Sequence, residues 1–558
     1  MVRVLAFSLE ECMSTFLTKP RPYQKTSIRE MLDKLKLGKD VALSLPTGTG
    51  KTYVYLPIAI TAANRGHRVC ILVATNQIIE QMEQKYLPNF KIRTKPCVVK
   101  GIEHYDCAIT KDKADYGTCT PEQKEICISE HSDCDVLRVN KEFEEYGFIL
   151  TNFHKFLSTK THQGFDLVII DDSHGFENAL DDKFQSRMAY YQIDGLYKRH
   201  EQQDDLTAAF AGSFLDFFDA AINTIPPGPQ NESMRAPNDV IKGIAEIEGY
   251  DELRDQLRKL EELDRSVCRG LLYFVKCCQN TSTNTFYVQK DHYKPDDPQE
   301  AALIARKSDS FQRNVVKKIF GQSRVIFASA TFGDIMTHAH YCTHREYARD
   351  TIPMVPKNQP DMVKNWFRGL KIFETSDFPQ DKDDQVEEAA KMVAKILTWT
   401  QGKTLLLFKS YRDQNKAGKV LRESVSREIT FIDDSDETET VQACVEKADV
   451  IMATASSRLW EGIDISNLKL EIIFSLPFIR PPVHLEKSYG FTFNKRKMLI
   501  RLQQGIGRLI RKENDRGVCI VMDNRLDKYK NSANFSSQYR ERIRLVTASQ
   551  LLKGLKCN

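Results

Sequence analysis

The chain has 558 residues, of which 41% are hydrophobic and 28% are charged. This length predicts about three or four compact units. Its apolar stretches are strand-sized, which excludes the run of about 20 apolar residues that a membrane helix needs. The formal charge of +4 is only mildly basic, so composition alone indicates no nucleic-acid partner. Acidic residues interrupt the short apolar N-terminus at Glu10 and Glu11, which argues against secretion and favours a cytoplasmic protein, nucleoid-associated if its source is prokaryotic.

The first predicted elements alternate between helix and strand. We predict a helix from Gln24 to Leu37, a strand from Val41 to Leu45, a helix from Thr52 to about Ala63 and a strand from Val69 to Ala74. Alternation of this kind builds a parallel sheet whose two faces are covered by helices. The sequence therefore predicts a nucleotide-binding α/β domain.

Two interruptions break this rhythm. The first runs from about Pro96 until a strand at Phe148 to Leu150, and the second runs from after Asp182 to about Arg306. Within the second, the apolar spacing from Asp251 to Cys278 predicts one amphipathic helix. We interpret both interruptions as insertions into the first domain.

The α/β rhythm returns after Gln385 and predicts a second sheet domain. Its strand candidates are Thr404 to Phe408, Val450 to Thr454, Glu471 to Ser475 and Val518 to Met522.

A Gly-rich loop connects the first predicted strand to the helix that begins at Thr52. It consists of Thr47, Gly48, Thr49, Gly50, Lys51 and Thr52. Glycines let backbone N–H groups close on phosphates, Lys51 supplies a positive charge to the β and γ phosphates, and the Thr52 hydroxyl can ligate Mg²⁺. A chance Gly-Lys-Thr in an ordinary loop is the alternative, and the flanking strand and helix disfavour it. The loop predicts an ATP site.

Two carboxylates follow the apolar strand Leu167 to Ile170. Asp171 and Asp172 would lie at the carboxyl edge of the sheet, where ligands of such sheets bind. We expect Asp171 to hold Mg²⁺ through water and Asp172 to orient and deprotonate the attacking water. An acidic turn without function is the alternative for these residues taken alone.

Three polar side chains near the end of the second domain complete the predicted catalytic set. Gln504, Arg508 and Arg511 are spaced so that the two arginines should share one helical face. Arginine suits bidentate recognition of phosphate, and an arginine from a second domain can stabilise the charge of a phosphoryl transition state. The alternative is a solvated basic helix.

In this order, the motifs resemble those of the XPD/DinG branch of superfamily 2 helicases. The resemblance covers nearly the whole chain and rests on Arg21 and Gln24, Thr47 to Thr52, Thr75-Asn76, Asp171 to His174, Ser329-Ala330-Thr331, Phe408 to Tyr411, Trp460 to Asp464 and Gln504 to Arg511. Shorter pieces typical of the branch are Lys100-Gly101 with Tyr105 and Cys107, Asn152 with His154, Glu177-Asn178, Leu476 to Phe478 and Pro481-Pro482.

The resemblance implies an α/β fold of two RecA-like parallel-sheet motor domains, with an iron–sulfur insertion and a helical Arch insertion in the first. The implied segments are 1–95, 148–182 and 307–335 for motor domain 1, 96–147 for the iron–sulfur insertion, 183–306 for the Arch and 336–558 for motor domain 2. It further implies a monomeric, ATP-dependent DNA helicase that moves 5′-to-3′ on single-stranded DNA, unwinds forked or tailed duplexes and serves a process such as DNA repair.

The resemblance also assigns roles residue by residue. ATP would be bound by Arg21, Gln24, the loop from Thr47 to Thr52, and Asp464. DNA would be contacted by Thr75, Asn76, Ser410, Tyr411, Trp460 and Glu461. Coupling between ATP and DNA would involve Ser329, Ala330 and Thr331.

One departure from the family bears on activity. The acidic box reads Asp-Asp-Ser-His where the family usually has Asp-Glu-Ala-His, so Asp172 is one methylene shorter than the usual base. Two rival functions remain. One is a nucleic-acid-binding scaffold whose ATPase is weakened by Asp172, and the other is an RNA-directed motor.

Five cysteines lie within one short polar stretch: Cys97, Cys107, Cys119, Cys127 and Cys134. This density indicates a metal ligand role. Zinc is one possibility because His104 and His131 are near, although the stretch has no paired C-x₂-C motif, and a stretch that binds no metal is another. The family resemblance instead implies a 4Fe–4S cluster held by Cys107, Cys119, Cys127 and Cys134, with Cys97 left over.

Overall fold

The computed structural model describes residues 5, 7–46, 48–108, 111, 114, 134–158, 164–203, 205–225, 233–289, 298–332, 335–344, 351–354, 366–378, 385–432, 438–454, 460, 465–479, 487–512, 514–532 and 534–556. Five residues with predicted roles lie outside the described residues: Thr47, Cys119, Cys127, Glu461 and Asp464.

The described strands are numbered in chain order. They are β1 Asp40–Ser44, β2 Val69–Val73, β3 Cys97–Val99, β4 Phe148–Asn152, β5 Leu167–Asp171, β6 Gln185–Ala189, β7 Ser233–Arg235, β8 Asn284–Gln289, β9 Ala302–Lys307, β10 Arg324–Ser329, β11 Thr351–Met354, β12 Leu370–Thr375, β13 Lys403–Phe408, β14 Ile429–Phe431, β15 Val450–Thr454, β16 Leu468–Ile473, β17 Gly517–Val521 and β18 Ile543–Val546.

The described α-helices are named by their bounds. They are Leu9–Ser14, Pro22–Lys36, Thr52–Asn64, Asn76–Gln81, Asp135–Glu145, Phe153–Ser158, Phe176–Phe184, Tyr190–His200, Leu206–Asn223, Asn238–Ala245, Tyr250–Gln256, Glu262–Cys278, Asp309–Phe320, Ile335–Thr343, Gln385–Trp399, Tyr411–Ser424, Thr438–Lys447, Lys487–Ile506, Leu526–Tyr529, Ser537–Arg540 and Ala548–Lys556. No helix among the described residues is both long and apolar enough to cross a membrane.

Two parallel sheets dominate the fold, as the alternating pattern predicts. The first has the strand order β11-β1-β10-β5-β2-β4-β3, and the second has the order β14-β15-β13-β16-β17-β12-β18. Their central strands are buried along their whole length, for example β2 and β5. Strands covered on both faces need continuous apolar runs, which explains why the sequence shows runs here rather than alternation. An apolar core covers each face of each sheet.

A third sheet makes the second insertion more than helical. Strands β6, β9, β8 and β7 pair antiparallel in this order and pack with helices around a separate apolar core. The sequence predicts a helical segment here, and that description is incomplete. Strand β8 has polar residues at both ends, and β9 is buried except at Lys307, so neither sequence gives the regular alternation of apolar and polar residues that marks a half-buried strand.

The amphipathic helix predicted from Asp251 to Cys278 is also wrong as a single element. It divides into Tyr250–Gln256 and Glu262–Cys278, with extended backbone at Leu260 and Glu261 between them. The Arg265 guanidinium donates to the carbonyl oxygens of Leu257 at 3.0 Å and Leu260 at 2.6 Å. These bonds satisfy carbonyl groups that the break leaves without helical partners. The last turn, with Cys277 and Cys278, is buried in the core as expected.

Candidate active site

The phosphate loop lies between β1 and the helix Thr52–Asn64. Gly48 and Gly50 have φ angles of +75° and +84°, a region that residues with a Cβ rarely adopt. The Thr49 hydroxyl donates to the Pro46 carbonyl oxygen at 2.7 Å and fixes the curvature of the loop. Backbone N–H groups at the start of the next helix are thereby available to an anion.

The first turn of the helix Pro22–Lys36 packs on this loop. The Gln24 amide donates to the Thr49 carbonyl oxygen at 3.4 Å, and the Tyr23 hydroxyl donates to the same oxygen. In turn, the Gln24 side-chain oxygen accepts from the Arg21 backbone N–H at 2.9 Å. The structure thus brings Arg21 and Gln24 to the phosphate loop, where the family resemblance implies that they act. Tyr23 has no predicted role, and its position beside Gln24 is the only sequence signal for it.

Asp171 ends β5 inside the cleft. Burial, with the neighbouring Asp172 charge as a second cause, raises the pKa of Asp171 to about 7, while the Lys51 charge acts in the opposite direction. Its Oδ1 atom is buried and has no hydrogen-bond partner among the described residues. A buried carboxylate oxygen of this kind fits Mg²⁺, a hard cation that prefers oxygen ligands, and Thr52 lies in the same cleft.

Asp172 has a left-handed backbone, with φ 45° and ψ 49°. Its Oδ1 atom lies 3.4 Å from the Lys51 ammonium, and its side chain is 44% exposed to the cleft. Burial would raise the pKa of this carboxyl, but the charges of Lys51, His174 and Arg511 and the hydrogen bond from Lys51 together outweigh burial and lower the pKa. Asp172 is therefore ionised and faces the cleft, as a water-activating base must.

These residues line one cavity of about 590 Å³. The predicted residues among its walls are Arg21, Gln24, Gly48, Gly50, Lys51, Thr52, Asp171, Asp172 and Arg511, and the others include Lys19, Tyr53, Lys85 and Tyr86. The Tyr53 and Tyr86 rings meet edge to face at 5.8 Å. The sequence predicts no role for this second group, because Lys19 lies in a loop, the other three lie on helices, and none belongs to a motif. The cavity joins residues of both sheet domains in one cleft.

The two arginines occupy different environments, contrary to the prediction that they share a helical face. The helix Lys487–Ile506 ends before them, Gly507–Leu509 form a 3₁₀ turn, and Ile510 is extended. Arg511 therefore faces the cleft, whereas Arg508 is 5% exposed and its Nε donates to the Trp460 carbonyl oxygen at 3.3 Å. Arg508 lies near Glu471, a buried carboxyl whose pKa burial raises to about 8. Gln504 is not a wall of the cavity either.

The proposed coupling motif lies directly behind the acidic box. His174 Nδ1 lies 3.0 Å from the Ser329 hydroxyl, which also accepts from the Thr331 backbone N–H at 3.1 Å. Ser329 and Thr331 are buried, and Ala330 lies between them. A change at the acidic box would thus reach Ser329, the last residue of β10, and then Thr331 through these two contacts.

A polar edge forms where β2, β3 and β4 end. The Asn76 amide donates to His104 Nε2 at 2.5 Å, and its oxygen accepts from the Asn152 amide at 2.7 Å. The Thr75 hydroxyl accepts from the Ile78 N–H at 3.4 Å and caps the following helix. Amide, hydroxyl and imidazole groups at the ends of strands are typical donors to nucleic-acid phosphates. His104 joins this edge although the sequence suggested it only as a zinc ligand.

The residues of the second domain that are predicted to contact nucleic acid differ in their exposure. Ser410 caps the helix Tyr411–Ser424 by accepting from the Asp413 N–H at 3.2 Å, and the Tyr411 side chain is 42% exposed. Trp460, in contrast, is 1% exposed and packs in the core of the second domain. A buried indole cannot offer its face to a base, so the predicted contact of Trp460 with DNA is not supported by its position.

The described part of the cysteine-bearing insertion is small and apolar inside. Cys107 and Cys134 are 3% and 2% exposed, and Ala114, Cys134 and Val136 form a small core with Tyr105 and Ala108. Cys97 differs, because burial and its contact with Glu142 at 3.4 Å raise the pKa of its thiol to about 12. A thiol with a raised pKa is a poor source of the thiolate that a metal needs.

Two family models match this chain, one in each sheet domain. The family model described as "Type III restriction enzyme, res subunit" matches residues 17–209, and the "Helicase C-terminal domain" model matches residues 393–542. The chain is 22% identical to "ATP-dependent DNA helicase YoaA" of Escherichia coli, across 91% of this chain and 92% of that protein. It is 33% identical to "ATP-dependent helicase DinG" of Mycobacterium tuberculosis over 24% of this chain and 22% of that protein.

A solved structure, "XPD_Helicase", shares the fold. It superposes with a TM-score of 0.66 at 13% identity and covers 95% of this chain and 100% of that one.

The positions of the two arginines lead to a testable difference. Arg511→Ala removes a guanidinium from the cleft, so we expect the ATP turnover number to fall by roughly 10³-fold while nucleotide affinity changes little. Arg508→Ala removes a buried group from the second domain, so we expect this variant to lower the melting temperature in addition to the turnover number. Steady-state ATPase kinetics and thermal unfolding of both variants measure this. A loss of affinity alone in Arg511→Ala would assign that arginine to ground-state binding.

Proposed function

We propose that this chain moves along single-stranded DNA in the 5′-to-3′ direction and unwinds tailed or forked duplexes. The chain is an ATP-hydrolysing helicase and belongs to the XPD/DinG-like branch of superfamily 2. The observation that carries the proposal is the cleft in which the phosphate loop, both acidic residues and Arg511 meet. A cleft between two domains lets each ATP cycle be converted into relative movement of those domains.

The hydrolytic roles follow from the positions of the side chains. Lys51 would pair with the β and γ phosphates of ATP, releasing Asp172 from its contact at 3.4 Å. Asp172 would then accept the proton of the attacking water, and Arg511 would neutralise charge that develops on the transferred phosphoryl group. Asp171 and Thr52 would hold Mg²⁺, which supplies positive charge to the phosphate oxygens.

The proposed DNA track crosses both domains. In the first it follows the polar edge of Thr75, Asn76, His104 and Asn152, and in the second it includes Ser410 and the exposed Tyr411. Amide and hydroxyl groups would contact backbone phosphates, which gives binding without sequence preference. The Tyr411 ring is the side chain in this set that can stack on a base. Polarity and the preference for DNA are taken from the family.

The insertion is proposed to hold a 4Fe–4S cluster through Cys107, Cys119, Cys127 and Cys134. Two observations support this ligand set: Cys107 and Cys134 are both buried, Cys134 within a small apolar core, and the Cys97 thiol has a raised pKa. Thiolates are the usual protein ligands of such clusters. The cluster would hold together a segment that has few apolar residues of its own.

A single-turnover unwinding assay tests the function. Four duplexes of identical sequence carry a 5′ or a 3′ single-stranded tail made of DNA or of RNA, and each is tested with and without ATP. We expect unwinding only with ATP and with the 5′ DNA tail, and we expect Lys51→Ala to bind that substrate without unwinding it. Preference for the RNA tail would indicate an RNA-directed motor. Tight binding with neither hydrolysis nor unwinding would indicate a scaffold.

The cysteine assignment has its own test. Protein purified without oxygen should absorb broadly in the visible range and contain about four irons per chain. Cys107→Ser or Cys134→Ser should remove both signals and reduce unwinding much more than basal ATPase, because none of the described residues of the insertion lines the nucleotide cleft. Cys97→Ser is the matched control and should change neither. One zinc in a colourless, active protein would contradict the cluster, and loss of colour in Cys97→Ser would show that the ligand set is wrong.

A further inference from the structure

A buried ionic cluster connects the two motor domains. Glu177 lies in the first turn of the helix Phe176–Phe184, just after the acidic box, and it is 1% exposed. Its Oε1 accepts from Arg496 at 3.0 Å and its Oε2 accepts from the other terminal nitrogen of Arg496 at 2.5 Å. Lys497 Nζ lies 2.7 Å from Oε2. Both cations belong to the helix Lys487–Ile506 of the second domain, so the ion pairs cross the domain interface.

The Glu177 carboxylate is also connected to the acidic box through the imidazole of His338. His338 Nδ1 lies 2.5 Å from Glu177 Oε1, and its Nε2 lies 3.1 Å from the Ser173 hydroxyl. Burial lowers the pKa of His338, whereas Lys497 and Arg496 outweigh burial and hold the pKa of Glu177 well below its usual range. A neutral imidazole then donates from Nδ1 to the carboxylate and accepts at Nε2 from the hydroxyl. Ser173 directly follows Asp172.

A metal ion does not explain this cluster. Ligand atoms of Glu177, His338 and Cys342 lie within 4.8 Å of one another, which would suit a small cation. However, the ammonium of Lys497 and the guanidinium of Arg496 already contact the carboxylate, so a metal would add positive charge beside two cations. Burial also raises the pKa of the Cys342 thiol well above its usual range, which disfavours a thiolate ligand.

We propose that Glu177 is a positioning residue. It fixes the position of the acidic box of the first motor domain relative to the segment of the second domain that carries Arg511. The helix Lys487–Ile506 carries Arg496 and Lys497 in its middle and leads, through the turn Gly507–Leu509, to Arg511 in the cleft. On the other side, Glu177 contacts Ser173 through His338. Asp172 and Arg511 must act on the same phosphoryl group, and the cluster supplies a buried joint between the segments that carry them.

The burial of the cluster suits this role. A carboxylate and two cations removed from water hold one geometry, because any displacement leaves a buried charge without a partner. Surface ion pairs, which water screens, would not fix the distance between two domains in this way. The Lys497 ammonium also donates to the Asn178 side-chain oxygen at 3.1 Å, which further restrains the joint.

A double-mutant cycle across the interface tests the proposal, which rests on the proposed DNA-stimulated ATPase. The variants are Glu177→Gln, Arg496→Met, their combination, and Arg496→Lys, which keeps the charge but loses the bidentate contact. Lys495→Met is the matched control, since it removes one charge from the adjacent position, where the ammonium lies over the Tyr529 ring of its own domain. The turnover number and KM for ATP are measured with a single-stranded DNA oligonucleotide, beside thermal unfolding.

We expect Glu177→Gln and Arg496→Met each to lower the turnover number by about 10-fold with KM for ATP changed by less than about 2-fold. The double variant should be no slower than the slower single variant, Arg496→Lys should be intermediate, and Lys495→Met should match wild type. Losses that multiply in the double variant, or a change confined to KM or to thermal unfolding, would overturn the proposal.

Two further outcomes are decisive. If Glu177→Gln does not fold, the comparison of Arg496→Lys with Arg496→Met decides, and equal turnover in these two variants would overturn the proposal. If wild-type protein shows no DNA-stimulated hydrolysis, the proposed function fails; if it does and the cycle is multiplicative, only the positioning role fails.

Discussion

The close approach of Arg511 to Gly48 is the constraint on which the nucleotide cleft depends. A Cβ atom placed on Gly48 would lie 2.2 Å from the Arg511 carbonyl oxygen, so no side chain fits at this point of the phosphate loop. Glycine there serves two needs, since the φ of +75° also disfavours other residues. The second domain can therefore rest against the phosphate loop, and the cleft proposed to bind ATP contains groups of both domains.

This arrangement concentrates charge in the cleft. Asp171 and Asp172 are adjacent carboxyls, and their mutual repulsion adds to burial in raising the pKa of Asp171, while Lys51 keeps Asp172 ionised. Nucleotide phosphates and Mg²⁺ would redistribute these pairings, because Lys51 and Asp171 are the groups proposed to bind them. The buried Glu177 cluster lies on the same interface and connects the acidic box to the helix before Arg511. The chemistry of the cleft and the packing of the two domains thus share residues.

Much of this could be predicted from the sequence, and the reasons are local. The strands around the phosphate loop and the acidic box are continuous apolar runs followed by glycine or carboxylate, so β1 and β5 end where the motifs predict. Contacts between distant segments were not predictable. Glu177 and Arg496 are 319 positions apart, and neither carries a periodic signal that would place it inside the protein. The motifs predict that Trp460 contacts DNA and that Arg508 acts in the ATP site, yet tertiary packing buries both. The 3₁₀ turn at Gly507–Leu509 separates the two arginines that ideal helical spacing would align.

The central claim is that ATP hydrolysis takes place in a cleft completed by Arg511 of the second domain. The most direct measurement is a crystal structure with Mg²⁺, ADP and aluminium fluoride, which imitates the transferred phosphoryl group. The account predicts Lys51 on the phosphates, Asp171 beside Mg²⁺, Asp172 facing the attacking water and the Arg511 guanidinium on the fluoride. Nucleotide bound by the first domain alone, with Arg511 directed away from the fluoride, would contradict it.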